Sequence, residues 1–203
     1  MFNSGISVKS LIDELTNEVD IALEIPDRTY ISWLNSLQQL LYTEVIKEPK
    51  MVVLDATTPI SLSLIKPETG ENKLIFEDIH CVYANFENNK EVQLKKSTLA
   101  SGNIFPNTFY KSRNDISFCV KGKPSILSIV YYVRPAIVEE ADYSNTNVML
   151  PIEFIDLVKA KLRGEAYKLA NEDSLAAKWL NDYNILLETF KAWITEKSPN
   201  FGL

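Results

Sequence analysis

The side chains able to do chemistry are few and scattered. One histidine, His80, directly precedes Cys81, and the second cysteine is Cys119. A thiolate–imidazole pair needs its two groups side by side in space. Successive residues of a strand point to opposite faces, so His80 and Cys81 diverge on the strand that holds them. Cys119 meets His80 only if another strand brings it there; the alternative is a hydrogen-bonded structural histidine. Further on, IVYYVRP places Tyr131, Tyr132 and Arg134 at the end of a strand-like run. No acid, base, nucleophile or metal ligand can be assigned beside them. The acidic pairs Asp13-Glu14, Glu77-Asp78, Glu139-Glu140 and Glu172-Asp173 are adjacent, which splays their side chains instead of converging them. Close-spaced Cys/His pairs for zinc are missing, as is the alternating acidic loop that calcium takes. The six glycines stand apart at 5, 70, 102, 122, 164 and 202, against any clustered-glycine phosphate cradle. No enzyme, metal or cofactor is expected.

The elements that position these residues follow from periodicity. Val8, Leu11, Ile12, Leu15 and Val19 mark one face of a short helix with Ser7 as its cap. Pro26 restarts a second, with Tyr30, Leu34, Leu37, Leu41 and Val45 in a stripe that Trp33 flanks, ending before Pro49. The period then changes to two. Ile60, Leu62 and Leu64 alternate, 67–72 makes a turn, and KLIFEDI returns. IHCVYANF and EVQLKK flank the turn-like ENNK. DISFCV and SILSIVYYV read as a hairpin around KGKP, where Gly122 supplies the turn. STLASGNIFPNTFYKS has no sustained period and reads as a long loop. Helical spacing returns at Pro151 with Ile155, Val158, Leu162, Ala166 and Leu169. After the polar break 171–174, Ala176, Trp179, Tyr183, Leu186, Phe190 and Trp193 follow in a heptad-like seam. These aromatics read as core or subunit interface before they read as a cofactor box. The expected fold is α+β: an antiparallel helical bundle of two N-terminal and two C-terminal helices (1–49 and 150–203) carrying a β-rich insertion with its linker (50–149) and a tail at 198–203.

Charge narrows the partners. Of 203 residues, 24% are charged, and the net charge is −6. From Lys90 to Arg134 eight basic residues face only Glu91 and Asp115, so this block carries +6 and the remainder −12. Such a split describes two electrostatic faces, or a sheet edge blunted with lysines. The basic block can touch a phosphate backbone, but no basic helix is present to read bases. No apolar run reaches the roughly 18 residues of a membrane span. MFNSGISVKS lacks the pattern of a secretory leader, and two cysteines make no disulfide framework, so a reducing compartment is expected.

The order of elements, with Tyr131, Tyr132, Arg134 and Pro135 closing the insertion and Leu150, Pro151, Glu153 and Phe154 opening the helical hairpin, resembles the head–tail adaptor (connector or head-completion) proteins of tailed bacteriophages, including the tail-tubular type of short-tailed phages. The likeness of layout spans the chain and is sharpest over 127–194; the sheet-rich insertion departs from it. The resemblance implies a non-enzymatic virion protein of the neck, present in the bacterial cytoplasm during assembly. It implies a ring, typically of twelve copies, between the portal protein and tail or neck proteins, through which DNA passes without sequence-specific binding. On this sequence it makes Phe201 and Leu203 of the tail the portal anchors. Lys95, Lys96, Lys121, Lys123, Phe105 and Phe109 become subunit or tail contacts. Two other classes stand beside it. One is a β-module binding carbohydrate or a host surface through Phe105, Phe109 and Tyr110 on a helical stalk. The other is a small enzyme built on His80 with a cysteine or carboxylate.

Overall fold

The computed structural model describes residues 2–21, 23–56, 60–61, 76–88, 90–97, 106–113 and 115–197. Phe105, the turn 67–72 and the tail 198–203 with Phe201 and Leu203 lie outside the described residues. Among the described residues the protein is α+β, with four α-helices and seven strands. It divides into a helical unit, Met1–Ile46 with Ile137–Leu203, and a β unit, Lys47–Ala136.

In the helical unit, α1 (Val8–Glu18) is capped as expected: the Ser10 N–H donates to Ser7 Oγ at 3.1 Å. Helix α2 (Asp27–Leu41) follows Pro26 and ends in a π-helical turn, Tyr42–Ile46, ahead of Pro49. A 3₁₀ turn, Ile152–Phe154, leads into α3 (Ile155–Leu169), and α4 (Asp173–Lys197) folds back on it. The reversal passes through Asn171, a residue type that tolerates its φ of 61°. The two helices approach closely at Gly164, where a Cβ would lie 2.8 Å from Leu180 Cγ. The expected stripes are buried together: Leu11, Leu15, Leu34, Leu41, Val158, Leu162, Ala166 and Phe190 are all inaccessible. Leu169, expected in the α3 stripe, is 48% exposed because the helix ends there.

The segment 137–149, expected to go with the insertion, belongs to the helical unit. The reason is hydrogen bonding that periodicity cannot register. Asn35 Nδ2 donates to the Val138 carbonyl at 2.9 Å, and the Val138 N–H donates to Asn35 Oδ1 at 2.8 Å. The Met149 N–H donates to the buried Gln38 Oε1 at 2.6 Å. Val138 and Val148 join the helical core.

The β unit is one sheet in the order β1-β7-β3-β4-β5-β6-β2. Its strands are β1 (Pro49–Asp55), β2 (Ile60–Ser61), β3 (Ile79–Asn85), β4 (Glu91–Lys96), β5 (Thr108–Ser112), β6 (Asp115–Cys119) and β7 (Ile126–Tyr132). All neighbours run antiparallel except β4 and β5. The β3–β4 pairing around ENNK is the expected one. Three expectations fail. First, β6 and β7 are not a hairpin: β7 lies between β1 and β3, while β6 pairs with β5 and β2. ILSIVYY is apolar on both faces, which suits a central strand, and residues 120–125 carry the chain across. Second, Phe76–Asp78 forms a 3₁₀ turn instead of continuing a strand. Third, Thr108–Ser112 is a strand and not loop, with Phe109 fully buried edge-to-face on Phe76, ring centroids 5.7 Å apart. Strand β1 had no expected counterpart. The register puts Val82, Ala84, Leu94, Leu127 and Ile129 on one buried face.

Candidate functional site

His80 sits at a register shift between Ile79 and Cys81, where the β3–β7 ladder is irregular. Its ring lies 5.3 Å from that of Tyr132, with the Tyr132 hydroxyl 3.2 Å from Nδ1. Cys81 is buried. Its hydrogen bond with Tyr83 raises the Tyr83 phenol above its ordinary value. Cys119 is half-buried on β6. The side chain beside His80 is therefore a phenol, not a thiol. Tyr131 is buried, and Arg134 Nε donates to both Asp78 oxygens, at 2.8 and 2.7 Å, with Asp78 largely buried. That bond joins the start of β3 to the chain just beyond β7, and the Val133 N–H donates to the Glu48 carbonyl at 3.0 Å. The Tyr-Tyr-x-Arg-Pro stretch thus closes the sheet and holds its exit. Among the described residues no three His, Cys, Asp or Glu side chains converge as metal ligands.

The four lysines separate into two kinds. Lys95, Lys96, Lys121 and Lys123 are all exposed, and what separates them is what the ammonium touches. Lys96 is taken up by the fold: its Nζ donates to the carbonyls of Phe76 (2.8 Å), Glu77 (3.1 Å) and Ile79 (3.2 Å) and lies 4.6 Å over the Phe76 ring. Desolvation pushes its pKa down against the opposing pull of Glu77 and Asp78. Glu77 is held below its usual value, chiefly by its own backbone N–H and then by Lys111, 3.3 Å away. The Lys96 ammonium is thus engaged within the β unit although the residue is exposed, and Phe109, wholly buried, is not a surface residue. Tyr110 is only half-exposed.

The sequence reading missed a concavity between α3 and α4. It is a groove of about 480 Å³ lined by Asp156, Arg163, Trp179, Asp182, Ile185 and Leu186. Arg163 is committed twice, ion-paired with Glu18 and stacked 4.6 Å over the Trp179 ring. Ile185 is 60% exposed. The available signal was Trp179, Ile185 and Leu186 on the same side of α4 as Asp182. At the other end of the hairpin Phe154, Phe190 and Trp193 pack together, with Phe154–Phe190 centroids 4.8 Å apart, so part of the aromatic seam is core.

The units also differ in charge. The helical unit has nine basic and eighteen acidic residues, a net of −9; the β unit has twelve and nine, a net of +3. The two units thus carry net charge of opposite sign, and the helical unit holds an apolar groove with two acids in its wall. The chain matches no model of a known protein family and no curated protein.

Proposed function

We propose that this protein is a structural head–tail adaptor: a non-enzymatic ring at the neck of a tailed phage, between the portal and the tail proteins, with DNA passing through. The observation that carries the reading is the division of charge, −9 on the helical unit and +3 on the β unit. Opposite patches on one chain favour a heterologous contact, in which each copy uses one patch on each neighbour, and a closed set of such contacts is a ring. The overall acidity suits a channel wall that phosphate backbone slides past without binding. The competing β-module reading loses its main support, because Phe109 is buried in the sheet. The test is native mass spectrometry with negative-stain electron microscopy of the full chain, alone and with a portal protein. Closed rings of one mass with a central opening are expected. A chain that stays monomeric under both conditions refutes the reading.

A further inference from the structure

The α3–α4 groove holds two carboxylates, Asp156 and Asp182, with Arg163 in its wall and Lys178, one turn before Asp182, 5.4 Å over the Trp179 ring. Asp156 and Asp182 make no ion pair among the described residues, and Arg163 in the same wall is spent on Glu18 and Trp179. Trp179, Ile185 and Leu186 supply apolar walls. An apolar slot with two carboxylates outside any described ion pair fits a lysine side chain, whose stem packs on the walls while its ammonium meets the acids.

The β unit presents that chemistry. Lys121 and Lys123 flank Gly122 on the crossing from β6 to β7, exposed and without ion-pair partners among the described residues. The crossing is braced: Gly122, at φ 100°, is so close to Phe86 that a Cβ would stand 3.2 Å from the ring. The Ser125 N–H also donates to the Asn85 carbonyl at 2.8 Å. Two lysines thus rise from a braced stretch of backbone, which lowers the ordering cost of the chain between them.

We infer that the α3–α4 groove is a socket for the Lys121–Gly122–Lys123 turn of a second copy of this chain. The occupant is a second copy because the unpaired acids lie on the unit of net −9 and the unpaired lysines on the unit of net +3. Each chain therefore carries one socket and one plug. The inference rests on the adaptor reading only for closure into a ring.

Two full-length variants test it, Asp156→Lys with Asp182→Lys in the socket and Lys121→Asp with Lys123→Asp in the plug. Alone, each sets like charges together at every contact and weakens association by about tenfold or more per reversed pair. Mixed in equal amounts they alternate, every contact again joins opposite charges, and assembly returns. Sedimentation velocity at low salt reads this, with circular dichroism confirming that both variants fold. If the socket variant does not fold, Asp156→Asn with Asp182→Asn must still lower association and its salt dependence. The inference is overturned if either reversed variant assembles alone like the parent, if the mixture of folded variants stays dissociated, or if the parent chain itself never associates. Failure of the adaptor reading looks different: mixing restores association, but into open chains of variable length.

Discussion

Replacing Lys96 should loosen the β unit far more than replacing Lys95 beside it, because only the Lys96 ammonium is bonded to the chain among the described residues. In Lys96→Met the stem volume stays and the ammonium goes, leaving the carbonyls of Phe76, Glu77 and Ile79 without their shared donor. Hydrogen bonds to a charged group are each worth about 1.5 kcal/mol at the low end of their range. Three give a gross loss of about 4.5 kcal/mol; the desolvation that depresses the Lys96 pKa is recovered and water reaches part of the freed carbonyls, so a net loss of about 2–3 kcal/mol is expected. Lys96→Arg keeps the charge, but a planar fork cannot direct three N–H groups at carbonyls of a single turn, and about half the loss should remain. Lys95→Met, whose ammonium holds no carbonyl among the described residues, should stay within about 0.5 kcal/mol of the parent. The assay must see the right unit. Trp33, Trp179 and Trp193 all lie in the helical unit, so their fluorescence does not report the sheet directly. Hydrogen exchange of peptides spanning β3 and β4, with urea unfolding followed by circular dichroism, does. Equal protection in Lys96→Met and Lys95→Met, or protection lost in the helices alone, would refute the reasoning.

Asn35→Ala strips both polar groups of Val138 of their partner and should destabilise the helical unit by about 2–3 kcal/mol, read as a lower urea midpoint in tryptophan fluorescence. Burial raises the phenols of Tyr183 and, with help from Asp27, Tyr30 above 10.0. Their protonated forms favour the fold, so this contribution is complete below about pH 10 and is lost as pH rises through the folded values. Tyr183→Phe should flatten that alkaline decline, measured by urea midpoints at about pH 8 and about pH 11 beside tyrosinate absorbance.

The helices were legible because their signal is local. Ser7 and the spacing of Val8, Leu11, Ile12 and Leu15 lie within three turns, and the β3–β4 hairpin needs only its own turn. What could not be read depends on partners far along the chain. Asn35 and Val138 are 103 residues apart, Gln38 and Met149 111, Arg134 and Asp78 56. A polar residue on an apolar helix face gives no hint of which backbone it will hold. The β6–β7 error has the same origin, since adjacency in sequence favoured a hairpin while β7, apolar on both faces, required two other strands. Phe109 looked like a loop aromatic because the strand that pairs with it, β6, begins only after the turn at Arg113. Of the candidate surface, Lys121 and Lys123 were visible by type; the α3–α4 groove was not, because it arises only when the two helices are set side by side.

The pairing of β1 with β7 has a consequence for how the chain is made. Pro49 lies opposite Tyr132, so the insertion leaves and rejoins the helical unit through neighbouring strands. During synthesis the seven described strands are all present once β7 has emerged, while α1 and α2 must wait for α3 and α4 to cover their apolar faces. The end of α4 is roughly sixty residues beyond the end of the β unit, a delay of about 3–12 s at ordinary elongation rates. Through that interval a nascent chain carries those seven strands and an uncovered helical pair, Leu11, Leu15, Leu34 and Leu41 among the exposed residues, which is the species a ribosome-associated chaperone would meet.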